Sequence, residues 1–381
     1  MAALGLRDVA LQHGPAYVAR HAGLLPSHRA ALLAIARCRT PLLGGHLARC
    51  ADCGTEHVLL NSCRHRACPQ CGHAATQRWL ARQRQLLLPV PYFHVVFTVP
   101  QELRRAIRSH QRPLLDVLFR AAFTALSSVC AEPQHLGTGN IGALAVLHTW
   151  TRTLEWHPHI HMLVPGGGIA PDGRTWRPVR LRHATSNLPR KAYLVPVKKL
   201  SFAFRRIFLA MAARALPEPL PAIDAKPWVV FAKPIVHGAE KVLEYLGRYV
   251  HRTAIGNGAV VGVDDAVTFC YLRSEDGARR VMQLPADEFL RRFLQHVMAR
   301  GFHRVRMFGL LHPSQRAALR RLQFHLASRL RRPPSPAPAQ ASRAPLRCAR
   351  CRHEAVRVLH ALTPAQCIEL TAAVQPRGLS P

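Results

Sequence analysis

The chain has 381 residues, 49% of them apolar, and this length and composition predict two or three domains with true hydrophobic cores. Its 53 lysines and arginines exceed its 20 acidic residues by 33 charges, which indicates a polyanionic partner, most often a nucleic acid. No run of 18 apolar residues predicts a membrane span, and residues 1–25 lack the apolar core of a secretion signal. We therefore expect a cytoplasmic protein whose eleven cysteines stay reduced, as metal ligands or buried thiols.

The first predicted elements are a helix over residues 27–36 and, after it, two Cys-x2-Cys pairs. Cys50 and Cys53 are separated by fourteen residues from Cys68 and Cys71. Two pairs at this distance can close one tetrahedral zinc site, because each pair turns tightly enough for both thiolates to reach the ion. Other cysteines and histidines nearby are alternative ligands or members of a second site, namely Cys38, Cys63, His46, His57, His65 and His73.

The flank of this cysteine module is basic. Arg64 and Arg66 precede the second cysteine pair, and residues 77–88, a predicted linking helix, carry further arginines. DNA phosphates are natural partners for such a face, although a solvated basic surface is the alternative.

Strands and helices alternate in the predicted structure of residues 89–330. Strands are predicted over residues 93–99, 141–152, 228–231, 260–263, 267–272, 282–284 and 302–309, and helical regions over residues 101–130, 285–297 and 313–330. Residues 193–216 are predicted to start as a short strand and to continue as a basic helix. Because several strand pairs are joined by short turns, this order indicates an α+β fold.

A pair of histidines lies in the predicted strand over residues 156–164. His159 and His161 are two residues apart, and residues i and i+2 of a strand point to the same face of a sheet. Two imidazoles on one strand face are half of a metal site. A polar strand face in a chain with 23 histidines is the alternative.

A pair of tyrosines lies in the predicted helix over residues 241–252. Tyr245 and Tyr249 are one helical turn apart, so their side chains share a face. Aromatic packing would explain this pair alone. Together with a metal site, however, the pair suggests phosphodiester cleavage, in which the metal polarises a phosphate and a tyrosine oxygen attacks it. Arg248 and Arg252 would favour the phenolate and contact DNA.

These motifs resemble those of the HUH endonucleases, in particular the two-tyrosine rolling-circle transposases of bacterial insertion sequences. His159-Ile160-His161 is similar to their His-hydrophobic-His motif, and Tyr245-x3-Tyr249 is similar to their paired tyrosines. Further similar segments occur in the family's order at residues 92–100, 148–150, 164–168 and 301–306. The resemblance extends over about residues 27–325.

The resemblance implies an HUH-type catalytic domain, with an antiparallel sheet flanked by helices, and a small N-terminal zinc-binding domain. The expected divisions are residues 1–88 (helical and zinc-binding), 89–330 (catalytic), 331–346 (a Pro-rich linker) and 347–381 (a tail with the lone pair Cys348-x2-Cys351). His353, His360 or Cys367 would complete any metal site in that tail.

The resemblance also implies a reaction. His159 and His161 would bind Mg²⁺ or Mn²⁺, and Tyr245 or Tyr249 would attack single-stranded DNA at the ends of the element. The products would be a 5′-phosphotyrosine link and a free 3′-OH. Zn²⁺ would be structural. The chain shows no Gly-x4-Gly-Lys-Ser/Thr phosphate loop, so host replication or helicase machinery would separate the strands.

Two positions depart from the family pattern. Many relatives have Gln where this chain has Arg152, whose guanidinium cannot ligate a metal. The third ligand is therefore open among His148, Glu155 and His157, of which we favour His148. Many relatives also have His where this chain has Ala67.

Two other functions are compatible with these motifs. A plasmid or phage replication initiator, or a relaxase, uses the same chemistry. A non-enzymatic, zinc-dependent DNA-binding regulator would explain the charge and the cysteines but leaves both the histidine and the tyrosine pairs unexplained.

Overall fold

A computed structural model of the chain describes residues 4–179, 181–182, 191–192, 194–235, 241, 244, 247, 253–273, 275–329, 346–354 and 356–373, without the side chains of residues 73–75, 181–182, 191–192, 329 and 373. Tyr245, Tyr249, Arg248 and Arg252 lie outside these residues.

Helices and strands alternate along the described part of the chain. The helices are α1 (Leu6–Gln12), α2 (Gly14–Arg20), α3 (Pro26–Arg37), α4 (Pro69–Arg84), α5 (Arg104–Ser109), α6 (Gln111–Ala131), α7 (Val197–Ala215), α8 (Ala286–Leu294), α9 (Arg316–Arg329) and α10 (Pro364–Ala373). The strands are β1 (Gly45–Cys50), β2 (Glu56–Leu60), β3 (Tyr92–Thr98), β4 (Gly142–Trp150), β5 (Trp156–Pro165), β6 (Gly167–Ile169), β7 (Trp176–Pro178), β8 (Leu181–Arg182), β9 (Lys191–Ala192), β10 (Val230–Ile235), β11 (Val260–Val263), β12 (Ala266–Leu272), β13 (Arg279–Pro285), β14 (Val305–Gly309) and β15 (Val356–Leu362).

The centre of the molecule is a five-stranded antiparallel sheet in the order β10-β3-β5-β4-β14. The predicted α+β class is therefore confirmed. Alternation along β5 turns Ile160, Met162 and Val164 to one face, where they are buried against α6 and α7. His159 and His161 consequently lie on the opposite face.

Helix α6 is long and apolar enough to cross a membrane by length and composition alone. Here it is a core helix, because most of that apolar stretch is buried inside the protein. Its side chains pack with the sheet and with α7 in the largest hydrophobic cluster. Its apolarity is explained by this core position.

Among the described residues, two helices cover one end of the histidine face of the sheet. Leu144 and Leu163 on this face pack with Trp79 of α4 and with Leu319 and Leu322 of α9. The other end of the same face carries the histidines, and the helices α4 and α9 form one wall beside them.

The N-terminal helices pack on a separate three-stranded sheet, in the order β11-β12-β13, and on α8. Leu6 and Ile35 share this second core with Phe269, Phe289 and Phe293. The N-terminal module is thereby joined to a part of the chain about 260 residues later, through ordinary apolar burial.

A third sheet, in the order β15-β1-β2, joins the two ends of the chain. Strand β15 pairs antiparallel with β1, and Cys367 of α10 is fully buried beneath them. The prediction that residues 347–381 form a separate tail is therefore wrong for the described part, 346–354 and 356–373. Sequence alone could not detect this pairing, because the two strands are some 300 residues apart.

Candidate functional site

Three histidines meet on the face of the central sheet that lies opposite α6 and α7. His148 of β4 lies directly opposite His159 of β5, and cross-strand partners point to the same face. His161 lies two residues along β5 on that face. The metal-ligating nitrogens of the three rings all lie within 4.8 Å of one another. The structure thus brings the predicted pair together with His148, our preferred third ligand.

Hydrogen bonds hold the two rings of the motif in position. The Nδ1 of His159 lies 2.7 Å from the backbone carbonyl of His157, to which it donates. The Nδ1 of His161 lies 2.8 Å from Nε2 of His94, on the neighbouring strand β3. These bonds occupy the Nδ1 atoms and leave each Nε2 as the ligand atom, the usual arrangement around a metal-binding histidine. His94 cannot be identified from the sequence, because its position beside His161 depends on the register of β3.

Burial keeps these rings neutral. It lowers the pKa of His161 to about 2, helped by His159 and His94, and lowers the pKa of His94 to about 4. Burial also lowers the pKa of His159 and brings that of His157 to about 4. Since only neutral imidazole has a lone pair to donate, the cluster can bind a cation throughout the physiological pH range.

The rim of the site combines aromatic rings with positive charge. Trp150 stacks on His148 at 4.6 Å between centroids, and the Arg304 guanidinium lies 5.0 Å from the Trp150 ring. At the other edge, Phe231 packs against His94, and the Lys233 ammonium lies 5.0 Å from the Phe231 ring. Phe231 and Lys233 are exposed, a combination suited to bases and phosphates.

The other candidate third ligands lie outside the cluster. Glu155 is exposed and faces Arg292 at 3.9 Å. The His157 ring lies beside that of His159, with centroids 5.1 Å apart, and its carbonyl makes the contact that orients His159. Arg152, at the Gln position of many relatives, donates to the carbonyl of Leu272.

The predicted nucleophiles Tyr245 and Tyr249 lie outside the described residues, but parts of their segment are described. Lys241, Glu244 and Gly247, at three-residue intervals, are helical. A Cβ added at Gly247 would come within 2.9 Å of the Leu80 side chain, so Gly247 lies close to α4. A side chain at this position would require the tip of Leu80 to shift.

Eight cysteines form two clusters of four. One contains Cys38, Cys63, Cys68 and Cys71, and the other contains Cys50, Cys53, Cys348 and Cys351. The prediction that Cys50 and Cys53 share one ion with Cys68 and Cys71 is therefore wrong. Their sequence spacing suits a shared ion, but the fold turns the two pairs to different partners.

The sulfur spacing in both clusters matches a zinc–thiolate tetrahedron. Sγ–Sγ distances are 3.7 Å for Cys38–Cys71 and 3.6 Å for Cys63–Cys71 in the first cluster. Zn–S bonds of about 2.3 Å place tetrahedral sulfurs about 3.8 Å apart, well beyond disulfide length. The cysteine clusters therefore support structural zinc.

The two arginines predicted to contact DNA from the cysteine module differ in their surroundings. Arg64 is exposed, with a positive φ of 52°. The Arg66 guanidinium donates to the carbonyls of Met298, Ala299 and Phe302 at 2.5–2.7 Å. This arginine thus attaches the cysteine module to the loop after α8.

Comparison with known proteins gives consistent matches. Residues 142–318 match the family model described as "Putative transposase", and residues 9–99 match a transposase zinc-binding domain. No solved structure matches the chain.

Two curated relatives extend over most of the chain. A "Putative transposase y4qJ" of Sinorhizobium fredii is 40% identical over 326 residues, covering 80% of this chain and 79% of the relative. The "Transposase for insertion sequence element IS801" of Pseudomonas savastanoi pv. phaseolicola is 31% identical over 287 residues, covering 72% and 68%. With its histidine motif, its cysteine clusters and these matches, the chain belongs to the two-tyrosine transposase family of bacterial insertion sequences, with an N-terminal zinc-binding transposase domain.

Proposed function

We propose that this transposase cleaves and rejoins single-stranded DNA at the ends of an insertion sequence through a 5′-phosphotyrosine intermediate, as in rolling-circle transposition. The observation that carries the proposal is the cluster of His148, His159 and His161 on one face of the central sheet. Gly247, which lies between Tyr245 and Tyr249 in sequence, is close to Leu80 of α4, and α4 also packs on that face.

The donor set fits a divalent cation. Three neutral imidazole nitrogens within 4.8 Å of one another can hold one ion and leave further positions to water and a phosphate oxygen. Mg²⁺ or Mn²⁺ bound there would withdraw charge from the scissile phosphate. A set of three imidazoles also suits Zn²⁺, so tests of metal dependence should include all three ions.

The residues around the histidines would bind and orient the DNA. Lys233 lies beside Phe231 on the edge strand β10, where an ammonium can pair with a phosphate and a ring can stack on a base. Arg64 is exposed on the cysteine module and would contact the flanking backbone. Arg248 and Arg252 would add charge beside the tyrosines.

The tyrosines would supply the covalent step. In each cleavage, a tyrosine oxygen forms a bond to phosphorus, the bond from phosphorus to the 3′ oxygen breaks, and the leaving oxygen takes a proton. The phosphodiester energy is kept on the enzyme, so a free 3′-OH can later reverse the step and join a new strand. Two tyrosines, Tyr245 and Tyr249, permit two successive attacks.

A covalent-adduct assay tests this function. Purified protein is mixed with end-labelled single-stranded DNA from the flanks of the gene, with each divalent ion in turn, and resolved on denaturing gels. We expect a labelled protein adduct that disappears with EDTA, with His159→Ala or with the double Tyr245→Phe/Tyr249→Phe variant. Tyr271→Phe, on the hairpin sheet, and His325→Ala, exposed on α9, are matched controls that should retain the adduct.

Other outcomes would redirect the assignment. Tight DNA binding without any adduct on several candidate ends would favour the zinc-dependent regulator. Cleavage restricted to a plasmid or phage origin would favour a replication initiator or relaxase. We expect the transposase to act in the bacterial cytoplasm, associated with the nucleoid, with host machinery supplying single strands. ATP-dependent unwinding by the pure protein would contradict the need for that machinery.

A further inference from the structure

The second cysteine cluster joins opposite ends of the chain. The Sγ of Cys50 lies 3.6 Å from that of Cys351, and the Sγ of Cys53 lies 3.6 Å from that of Cys348. These pairs are 301 and 295 positions apart in sequence. The four sulfurs have the spacing of a tetrahedral zinc site. Because they come from two remote segments, the geometry of a local turn cannot account for that spacing.

The two Cys-x2-Cys turns of this cluster are built alike. Gly54 donates its backbone N–H to the carbonyl of Cys50 at 3.0 Å, and Arg352 donates to the carbonyl of Cys348 at 2.9 Å. Gly54 and Arg352 hold equivalent positions, and both have positive φ, 71° and 61°. Positive φ is a strained conformation for an arginine, so the surrounding structure must hold Arg352 in it. A turn that places two thiolates around one ion would do so.

Polar groups around the sulfurs suit a negatively charged zinc–thiolate centre. His57 Nε2 lies 3.2 Å from the Sγ of Cys348, and Thr55 Oγ1 lies 3.2 Å from the Sγ of Cys53. As N–H and O–H donors, both would offset the charge that four thiolates place on one Zn²⁺. His57 therefore contacts a ligand sulfur instead of serving as a ligand itself.

The segment that carries the second pair is packed in place beyond the cysteines. Strand β15 adds to the free edge of β1 with six residue pairs, from Gly45–Leu362 to Cys50–Val356. A Cβ at Gly45 would meet the buried Cys367 sulfur at 3.1 Å, which shows how closely α10 approaches β1. The C-terminal segment is thus built into the N-terminal module.

We propose that a second structural Zn²⁺, bound by Cys50, Cys53, Cys348 and Cys351, holds the C-terminal segment 346–373 on the N-terminal zinc module. The transposase then carries two structural zinc ions. Its two chain ends form one module, and the catalytic domain between them is attached to that module at both ends.

Counting zinc in full-length protein tests this proposal. All counts use a His159→Ala background, called the wild type here, so that the histidine cluster adds no third ion. We expect two zinc ions per chain by plasma mass spectrometry. One ion should remain in the Cys50→Ser/Cys53→Ser variant, one in the Cys348→Ser/Cys351→Ser variant, and still one when all four are serine. A single site closed by the two N-terminal pairs predicts otherwise: one ion in the wild type, unchanged by the C-terminal substitutions and lost with Cys50 and Cys53. Either one ion in the wild type or full zinc retention after the C-terminal substitutions would overturn the proposal.

A ligand exchange keeps the test decisive if the double variants misfold. Cys351 is exposed, so Cys351→His can keep four ligands while changing one sulfur to nitrogen. In Co²⁺-substituted protein, we expect this variant to bind two ions with its visible bands shifted to shorter wavelength. Cys367→Ala, in the same module but outside the sulfur cluster, should leave the spectrum unchanged. An unshifted spectrum in Cys351→His would overturn the assignment of Cys351 as a ligand.

Discussion

Replacing His94 tests whether a residue outside the proposed metal ligands supports metal binding. Nε2 of His94 lies 2.8 Å from Nδ1 of His161, and the two rings stack with centroids 5.1 Å apart and planes 6° from parallel. Burial lowers the pKa of His94 to about 4, so this ring is neutral at pH 7. A metal bound at Nε2 of His161 would leave the proton of that ring on Nδ1, which would then donate to Nε2 of His94. His94→Phe keeps the ring and its packing but removes the acceptor.

The expected effect is a loss of metal affinity without a loss of ligands. Removing the hydrogen-bond partner of a metal-binding histidine typically costs 10- to 100-fold in affinity, about 1.4–2.7 kcal/mol. We expect Mn²⁺ affinity to fall by that factor in His94→Phe. His94→Gln, whose amide oxygen can accept the same bond, should recover part of it. Adduct formation should return to near the wild-type level at saturating Mn²⁺.

The assay is calorimetric titration with Mn²⁺ at pH 7 of protein that holds zinc in its cysteine clusters and none in its histidine cluster. The adduct assay then follows over a range of Mn²⁺ concentrations. His157→Phe is the matched control, because the backbone carbonyl of His157, and not its ring, accepts from His159. Its Mn²⁺ affinity should stay within about threefold of wild type, below the usual effect of losing a ligand's partner. If His94→Phe binds Mn²⁺ as tightly as this control, the inferred role of the His94–His161 bond is wrong.

Three further predictions concern stability. Burial lowers the pKa of His296 to about 3, so its stabilising contribution is complete above the unfolded pKa near 6.5 and decreases as pH falls. At pH 5 the free energy of unfolding should be lower by about 2 kcal/mol for this reason. In urea unfolding, His296→Gln should therefore lose less stability than the wild type between pH 7 and pH 5, and an equal loss in both proteins would contradict the prediction. Arg66→Ala removes three hydrogen bonds from a half-exposed guanidinium to backbone carbonyls. It should lower the free energy of unfolding in urea by about 1–3 kcal/mol. A drop in DNA affinity with unchanged stability would assign Arg66 to DNA binding instead. Gly309→Ala should cost more than about 3 kcal/mol, because at φ 54° its Cβ would lie 1.9 Å from the carbonyl oxygen of Ile141. The control Gly277→Ala, at φ 70° with open space around it, should cost only about 1 kcal/mol, and equal effects on thermal unfolding would refute the steric argument.

Much of the fold follows from local pattern. The period of two predicts that His159 and His161 share one face of their strand, and Ile160 and Met162 of β5 lie on the opposite face, in the core. The strands predicted over residues 260–263 and 267–272 also form, and they pair as the hairpin β11–β12. Such elements depend on contacts within a few residues, so a single sequence contains the information needed to recognise them.

The sequence-based predictions are wrong where segments that are far apart in sequence meet in the structure. The Pro-rich stretch before residue 346 suggested a boundary, and nothing local reveals that β15 completes the edge of β1. Closeness in sequence predicts one shared site for Cys50/Cys53 and Cys68/Cys71, but in the structure Cys50 and Cys53 meet Cys348 and Cys351. Spacing limits how a short loop can close, but it carries no information on partners 300 residues away.

By itself, the sequence determined the chemistry available to this transposase. His159 and His161 must share a strand face because the side-chain period of a strand is two, and each Cys-x2-Cys pair must present two thiolates to one point because its turn is short. Tertiary structure alone decided what completes each site. The register between β4 and β5 sets His148 opposite His159, the register of β3 supplies His94, and the β1–β15 pairing brings the last cysteine pair to the first. Strand register is a property of the packed sheet, since burial of one whole face selects it, and it cannot be read from the residues it aligns.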